Sequence, residues 1–238
     1  AEFERSVADD IQRMGRDTAL RPLSLSWIEA TRPHHYTYHF NFLGRPLIQF
    51  PQDMVAIQEL IWRTRPDLII ETGIAHGGSL VMSAAMLAML DYCDAVASGT
   101  SLDINTPRRR VLGIDIDIRN HNRAAIEAHP MAHRLEMIQG SSISPEVVDE
   151  VRKRSQGNER VMVILDSNHT HEHVLAELKA YAPLVTTDCY CVVFDTLIQD
   201  LPAGLYPDRP WDVGNNPRTA VREYLSDHDG FVVDEDIE

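Results

Sequence analysis

Asp67-Leu68-Ile69-Ile70-Glu71-Thr72-Gly73-Ile74-Ala75-His76-Gly77-Gly78-Ser79-Leu80 joins a short apolar run to three glycines within six residues. The run from Leu68 to Ile70 predicts a buried strand, and the apolar spacing from Leu80 to Leu90 predicts a helix. Glycine lets the backbone turn sharply and approach a ligand closely, and the start of a helix offers free N–H groups. The segment therefore predicts either a nucleotide-type pocket at the end of the first strand of a parallel sheet, or a purely structural βα turn.

The spacing of these glycines differs from the G-x-G-x-x-G pattern of dinucleotide-binding proteins. Glu71, two residues before the first glycine, resembles the acidic residue in the first motif of class I S-adenosylmethionine (SAM) methyltransferases. That resemblance implies that Glu71 holds the methionine amino end through the loop backbone or through water. The residues of this loop that we expect to bind the cofactor are Glu71, Gly73, Ala75, Gly77, Gly78 and Ser79.

Strands and helices alternate along the rest of the chain. Apolar runs predict further strands at 111–117, 134–138, 161–166 and 189–195, and a last one at Phe231. Helical spacing predicts helices at 52–64, 78–91, 118–128, 145–154, 171–181 and 217–227, and the polar residues 92–107 predict a mobile connection. This alternation predicts an α/β fold with a doubly wound, Rossmann-like, mostly parallel sheet. Class I methyltransferase sheets normally finish with an antiparallel hairpin, so one strand is expected to be missing.

We expect one domain overall, with an N-terminal extension of helices and loops at 1–50 and a SAM-binding catalytic part at 51–238. Residues 31–51 are rich in aromatic side chains and histidine, with glycine and proline breaks, which predicts mostly loop. Two interpretations stay open for this segment: packing over an edge of the core, or a lid over the ligand.

The composition limits the classes of function. The chain has 238 residues, 44% hydrophobic and 24% charged, as in ordinary globular proteins. Its formal net charge of −14 argues against binding nucleic acid or an anionic membrane, because both need a basic face. Cys93, Cys189 and Cys191 are too few for a disulfide framework, which favours free thiols in a reducing compartment. With no signal peptide and no run of roughly 18 apolar residues, we predict a cytoplasmic protein without a membrane span.

Asp115 follows the glycine loop by about forty residues, at the end of the next predicted strand. A carboxylate there can accept the two ribose hydroxyls of an adenosine; the alternative is an aspartate that caps the following helix. We favour the ribose role, with Asp117 as the second choice. Ser141 and Ser142, after the third strand, are expected near the adenine.

Asp166 and Asp195 end two further predicted strands. Two carboxylates at neighbouring strand ends can bind Mg²⁺, which prefers oxygen ligands, and such a metal could orient the hydroxyls of a substrate. His169 could then accept a proton as general base. The alternatives are that both aspartates cap helices and His169 is a surface residue, or that His169, His171 and His173 bind zinc or iron.

Four segments carry a family resemblance: Tyr38-His-Phe-Asn-Phe-Leu-Gly-Arg-Pro-Leu-Ile-Gln-Phe-Pro-Gln-Asp53, Ile70-Glu-Thr-Gly-Ile-Ala-His-Gly-Gly-Ser79, Gly113-Ile-Asp-Ile-Asp-Ile118 and Leu165-Asp-Ser-Asn-His-Thr-His-Glu-His173. They resemble the cephalosporin hydroxylase family, which has a SAM-methyltransferase fold and is similar to Mg²⁺-dependent O-methyltransferases of macrolide sugars. The resemblance implies that Asp166 and Asp195 are metal ligands and that His169 is the base. Phe194 stands where the family usually has glutamate, which puts metal binding in question, and Asp200 is a candidate substitute.

From these observations we expect a SAM-dependent O-methyltransferase that acts on a sugar hydroxyl of a glycan or glycosylated natural product. In this hypothesis Asp166 contacts cofactor and metal and takes part in catalysis with His169. The alternatives are an iron-dependent hydroxylase and a non-catalytic SAM-binding or scaffold protein. Relatives lead us to expect a homo-oligomer, with residues 31–51 at an interface or over the site.

Overall fold

The computed structural model describes residues 2–237. It begins with helices α1 (Glu2–Arg16) and α2 (Leu20–Thr31), followed by two 3₁₀ turns at Arg32–His34 and Tyr36–His39. Strands β1 (Phe40–Phe42) and β2 (Arg45–Leu47) then form an antiparallel hairpin. The segment 31–51, predicted as mostly loop, therefore contains short regular elements.

A sheet of five parallel strands follows, and it confirms the predicted fold class. Its strands lie in the order β5-β4-β3-β6-β7, so the chain starts in the middle and winds to both sides. The elements of this part are α3 (Pro51–Thr64), β3 (Leu68–Thr72), α4 (Gly78–Ser98), β4 (Arg110–Asp115), α5 (Asn120–Glu127), β5 (Leu135–Gln139), α6 (Pro145–Ser155), β6 (Val161–Leu165), α7 (His171–Tyr181), β7 (Cys191–Val193) and α8 (Pro217–Asp227).

Helices cover both faces of the sheet. Leu68 and Ile70 of β3 face a cluster that includes buried residues of α6, α7 and α8, whereas Ile69 faces a cluster with residues of α3, α4 and α5. Alternate residues of a strand point to opposite faces, so a strand buried on both sides is mostly apolar, as β6 is throughout and β3 is up to Ile70. All five residues of β3 and of β6 are buried. The carboxyl ends of these strands define the edge where the candidate site lies.

The N-terminal extension does not behave as one unit. None of the residues of α1 is buried, whereas Leu47 of β2 is 1% exposed and belongs to the core cluster around α4. The hairpin thus packs with the sheet domain. The division into an extension at 1–50 and a catalytic part at 51–238 stays a proposal.

Three predicted elements differ from the structure. Helix α4 runs to Ser98, beyond the predicted 91, because no helix breaker occurs before Gly99 and because Asp94 pairs with Arg65 and Arg109. Strand β7 spans only Cys191–Val193, so Cys189 lies in the turn before it. The predicted strand at Phe231 is wrong, since this segment forms no ladder in the described part of the chain. Phe231 instead packs near Tyr224, with ring centroids 6.4 Å apart.

By length and composition, α4 alone among the described helices could cross a membrane, with a mean hydropathy of 1.5 over 18 residues. The expectation of no membrane span counted strictly apolar runs and missed this helix. In the structure its buried residues, such as Leu80, Leu87 and Leu90, belong to the core on one face of the sheet. Core helices of sheet proteins share this length and composition, so α4 is weak evidence for a span.

Candidate active site

The glycine loop connects β3 to α4 and lies between two other segments. Gly73 has φ +92°, and a Cβ at this position would overlap the backbone carbonyl of Asp166 at the end of β6. A Cβ on Gly78 would overlap the carbonyl of Pro46 in the hairpin. These two glycines are therefore required by close packing of the chain around the loop, in addition to any approach of a ligand.

Glu71 is buried at the end of β3, with 1% of its surface exposed. The Ser79 hydroxyl donates a hydrogen bond to Oε1. Oε2 has no hydrogen-bond partner among the described residues. Burial raises the pKa of Glu71 from 4.5 to about 7, against the opposing effect of the nearby Ser79 and Ser83 hydroxyls. An unpartnered buried carboxylate oxygen indicates a place for a donor group from a ligand or a water.

Glu71→Gln is expected to change how folding stability depends on pH. Because the folded-state pKa lies near 7 and the ordinary value is 4.5, the folded protein keeps a proton that the unfolded chain releases between these values. Stability should fall as pH rises through this window, by about 3 kcal/mol once pH exceeds 7. Glutamine cannot ionise, so the variant should melt at a higher temperature than the unsubstituted protein near pH 8 and at nearly the same temperature near pH 4.

Thermal unfolding followed by circular dichroism at several pH values measures this difference. Glu235→Gln, at an exposed position, controls for the loss of one carboxylate. The raised pKa of Glu71 would be contradicted if the melting temperatures of Glu71→Gln and the unsubstituted protein differed by the same amount at every pH.

Asp115 ends β4 and forms hydrogen bonds with the backbone of the glycine loop. Its Oδ2 accepts hydrogen bonds from the backbone N–H groups of Ile74 (2.8 Å) and Ala75 (3.1 Å), and its Oδ1 accepts one from Asp117 (3.0 Å). These bonds hold Ala75 in a left-handed conformation with φ 45°. The role of Asp115 at the ribose stays a prediction. Oδ1, which accepts only one of these bonds, is the oxygen that can best accept another hydrogen bond. Asp117 is exposed beside it.

The sequence reasoning missed a polar clamp on the outer side of the same loop. Arg45 of β2 donates through Nε to the carbonyl of His76 (3.0 Å) and through Nη2 to Oδ1 of Asn122 (3.2 Å). Asn122, 4% exposed, in turn donates to the carbonyl of Ala75 (2.9 Å). Only the position of Arg45 within a family-like segment hinted at this contact. The hairpin is thus fixed to the loop, which argues against residues 45–47 moving as a lid.

Arg45→Ala should therefore weaken cofactor binding without removing any group that contacts the acceptor. Loss of the bonds to His76 and Asn122 frees the loop, and we expect an affinity for S-adenosylhomocysteine lower by about tenfold. Calorimetric titration measures this change. Arg123→Ala serves as control, because it removes an arginine that neighbours Asn122 on α5. Equal affinities of the two variants for S-adenosylhomocysteine would refute the proposed role of Arg45.

Asp166, His169 and Asp195 form the centre of the site. One ligand atom from each of these side chains lies within 4.8 Å of the others. His169 Nδ1 is 3.2 Å from Asp195 Oδ2, and Gln49 donates from Nε2 to Asp166 Oδ2 (2.7 Å). The structure thus brings together the three residues that the sequence selected, and it adds Gln49, for which the sequence carried no separate signal.

Burial and neighbouring carboxylates raise the pKa values of Asp166 and Asp53. The pKa of Asp166 lies well above its usual range, first because the group is shielded from water and then because it faces Asp195, Glu71 and Asp53. Burial and Asp195 raise the pKa of Asp53 to about 6. So much negative charge in one pocket favours a positively charged ligand.

Asp53 is a second residue that the sequence reasoning missed. It lies on α3 and lines the same pocket as Phe194 and Asp166. Asp200, the candidate substitute for the missing glutamate, forms ion pairs with other residues: its Oδ2 pairs with Arg218 (2.6 Å) and Arg21 (2.7 Å). A carboxylate from α3 thus shares the pocket of Phe194, the position where the family usually has glutamate.

The other histidines of the segment point to different partners. His171 contacts Thr219 and Glu223 of α8. His173 contacts the hydroxyl of Ser142 (3.0 Å) and Glu177 (3.4 Å). The three histidines predicted as an alternative metal set therefore do not converge.

The Ser142 hydroxyl forms a hydrogen bond with His173 within the protein. Its residue is 5% exposed, and its backbone carbonyl accepts a hydrogen bond from Tyr181. Ser141 is half-buried. The adenine role of both serines stays a prediction, which for Ser142 can no longer use a free hydroxyl.

A second, larger cavity opens beside the carboxylates, between residues 28–50 and 195–211. It is lined by both polar and aromatic side chains, including His169, Asp195, Tyr36, Tyr38, Tyr206 and Trp211. The rings of His169 and Trp211 meet edge to face, 4.6 Å apart. Aromatic walls beside hydrogen-bonding groups are suited to a sugar ring, so this cavity is the candidate acceptor site.

The parallel sheet with its central start, the glycine loop after β3 and the carboxylate at the end of β4 define the class I SAM-methyltransferase fold. The model of the Rhamnosyl O-methyltransferase/CmcI family matches residues 34–238, and the chain belongs to this family. The predicted resemblance is thus confirmed.

Two curated relatives and one solved structure illustrate the likeness. A rhamnosyl O-methyltransferase of Mycobacterium leprae is 27% identical over 177 residues, covering 71% of this chain and 69% of the relative. One from Mycobacterium tuberculosis (strain H37Rv) is 30% identical over 154 residues, covering 63% and 54%. The alignment thus spans about half the length of the second relative. A putative caffeoyl-CoA O-methyltransferase structure from Staphylococcus aureus has a TM-score of 0.55 at 14% identity, covering 97% of this chain and 92% of that one.

Proposed function

We propose that this chain is a SAM-dependent O-methyltransferase that methylates a sugar hydroxyl of a glycan or glycosylated natural product. The cluster of Asp166, His169 and Asp195 between the glycine loop and the aromatic cavity carries this proposal. Relatives named rhamnosyl O-methyltransferases support a rhamnosyl group as the acceptor. A cytoplasmic location and a homo-oligomeric state remain part of the proposal.

SAM supplies a methyl group on a positively charged sulfonium. The glycine loop and the N-terminus of α4 would hold its polar end, with Glu71 Oε2 as acceptor for the ammonium group. Asp115 would accept hydrogen bonds from the ribose hydroxyls, mainly through Oδ1, in addition to its bonds with the loop. The carboxylates around Asp166 would stabilise the positive charge of the sulfonium.

A divalent metal is compatible with the donor set at Asp166 and Asp195. The two carboxylates offer oxygen ligands, and a cation would offset the burial and the nearby negative charge that raise the pKa of Asp166. Mg²⁺ would supply electrostatic polarisation of the acceptor hydroxyls. The pairing of Asp195 Oδ2 with His169 leaves Oδ1 for such a role.

His169 is the proposed base. In the tautomer that donates from Nδ1 to Asp195, the Nε2 atom keeps a lone pair for the proton of the acceptor hydroxyl. Asp195 orients the imidazole and stabilises its protonated form. Trp211 contacts the same ring, and the aromatic cavity would hold the sugar so that its oxygen can attack in line.

The alternatives have less support. An iron-dependent hydroxylase would need several of the histidines at 169, 171 and 173 on one metal, but His171 and His173 contact other groups. The scaffold alternative rests on Phe194, at the position where the family usually has glutamate. The retained grouping of two carboxylates and a histidine at the mouth of a cavity favours catalysis instead.

Methyl transfer from SAM to methyl α-L-rhamnopyranoside, followed by mass spectrometry, tests the proposal. The product should gain one methyl group, and treatment with EDTA should lower the rate, with recovery on adding Mg²⁺. Asp195→Asn should show the same loss without recovery by Mg²⁺. Full activity after EDTA would eliminate the metal from the mechanism, and no transfer to any sugar acceptor, neutral or phosphorylated, would contradict the function.

A further inference from the structure

Two guanidinium groups lie at the rim of the aromatic cavity, and neither is used by the proposed mechanism. Arg32 follows α2, and its Cζ lies 5.5 Å from the ring centre of Tyr206. Arg209 lies 5.2 Å from the ring centre of Trp211. Both arginines line the cavity that contains His169. Stacking on a ring orients the guanidinium plane and leaves its N–H groups free at the edges.

These two arginines have no ion-pair partner within residues 2–237. Neighbouring arginines behave differently, since Arg21 and Arg218 both pair with Asp200. In a chain with a net charge of −14, two exposed arginines at one cavity that form no ion pair among the described residues mark a local positive site, although Asp208 and Asp195 also line this cavity. Such a site attracts an anionic group of a ligand.

The rim is connected to the reaction centre by the two aromatic side chains. Trp211 contacts Arg209 on one side and His169 on another. Tyr206 lies close enough to both Asp195 and Arg32 for each charge to affect its pKa, which burial raises. A ligand in the cavity can therefore place a hydroxyl at His169 and an anionic group at the arginines at the same time.

We propose that the acceptor is a sugar that carries a phosphate at its anomeric carbon, as a glycosyl phosphate or diphosphate ester, with Arg32 and Arg209 binding the phosphate oxygens. The forked N–H groups of arginine match phosphate oxygens in geometry and charge. The ring hydroxyls then point inward, toward His169 and Asp195. This inference rests on the proposed sugar O-methyltransferase function and specifies its substrate class.

The test compares two ligands that differ only in the anionic group: α-L-rhamnose 1-phosphate and methyl α-L-rhamnopyranoside. Calorimetric titration in the presence of S-adenosylhomocysteine measures binding independently of turnover. We expect the phosphate ester to bind at least about tenfold more tightly, and the double variant Arg32→Gln/Arg209→Gln to lose this preference. Because both arginines also stack on rings that line the cavity, the double variant should weaken binding of the neutral glycoside somewhat, but far less than binding of the phosphate ester.

Arg222→Gln, on an exposed part of α8 outside the cavity, is the matched control and should keep the preference for the phosphate. Equal binding of the two ligands, a preference that survives in the double variant, or binding of neither ligand would each overturn the inference. Methyl transfer is measured separately on both ligands. Transfer to the neutral glycoside at the same kcat/KM would leave the proposed function intact while removing the anionic acceptor.

Discussion

His169→Ala is expected to lower kcat by about 10²- to 10⁴-fold near neutral pH, which is the usual contribution of a positioned general base. The imidazole is held by Asp195, 3.2 Å away, and by an edge-to-face contact with Trp211. Without it, the proton of the acceptor hydroxyl has to leave to water. The affinity for SAM should stay within about threefold, because His169 lies on the acceptor side of the carboxylates. Single-turnover kinetics with saturating SAM measures the loss.

The pH dependence adds a second signature of the base. In the variant, the logarithm of kcat should continue to rise with pH, because hydroxide replaces the missing group, whereas the unsubstituted enzyme should reach a plateau. His171→Ala is the matched control, since that histidine belongs to the same segment but contacts Thr219 and Glu223. If His169→Ala and His171→Ala have similar kcat values near neutral pH, the base lies elsewhere.

Gly73→Ala is expected to destabilise the fold by about 3 kcal/mol or more. The residue has φ +92°, and its new Cβ would overlap the backbone carbonyl of Asp166. Left-handed strain alone costs about 1–2 kcal/mol, and the overlap adds the cost of displacing the end of β6. The displacement would also move the Asp166 side chain, so the variant should lose cofactor binding and activity as well as stability. Urea unfolding measures the free-energy change.

Gly99→Ala separates the two causes, because Gly99 has φ +65° and no atom within 4 Å of an added Cβ. It should cost about 1 kcal/mol and keep full activity. Failure of Gly73→Ala to fold while Gly99→Ala folds would agree with the overlap. Similar midpoints of urea unfolding for the two variants would show that the glycine loop can shift without cost.

Much of the site could be located from strand ends alone. Apolar runs followed by Glu71, Asp115 and Asp166 predicted three parallel strands that each finish in a carboxylate, and these strands meet at one edge of the sheet. The position of His169 three residues after Asp166 placed it at the same edge. Such inferences succeed because the spacing of apolar residues and the residue types that form turns are local properties of the chain.

Other features needed contacts between distant residues. Gln49 reaches Asp166 across 117 positions, and Arg45 reaches Asn122 across 77. No periodicity marks such pairs. The sequence offered Asp200 as a candidate substitute for the missing glutamate, but in the structure it pairs with Arg21 and Arg218. Ion pairs of this kind form wherever packing brings charges together.

The sequence by itself determined the parallel sheet, the glycine loop and the set of candidate residues, because each depends on short-range pattern and backbone conformation. Only the tertiary structure decided how those residues are used: Asp115 supports the loop, Asp195 orients His169, and Asp53 joins the carboxylates from α3. The physical reason is that the direction and environment of a side chain depend on which elements pack around it. That packing is a property of the whole fold.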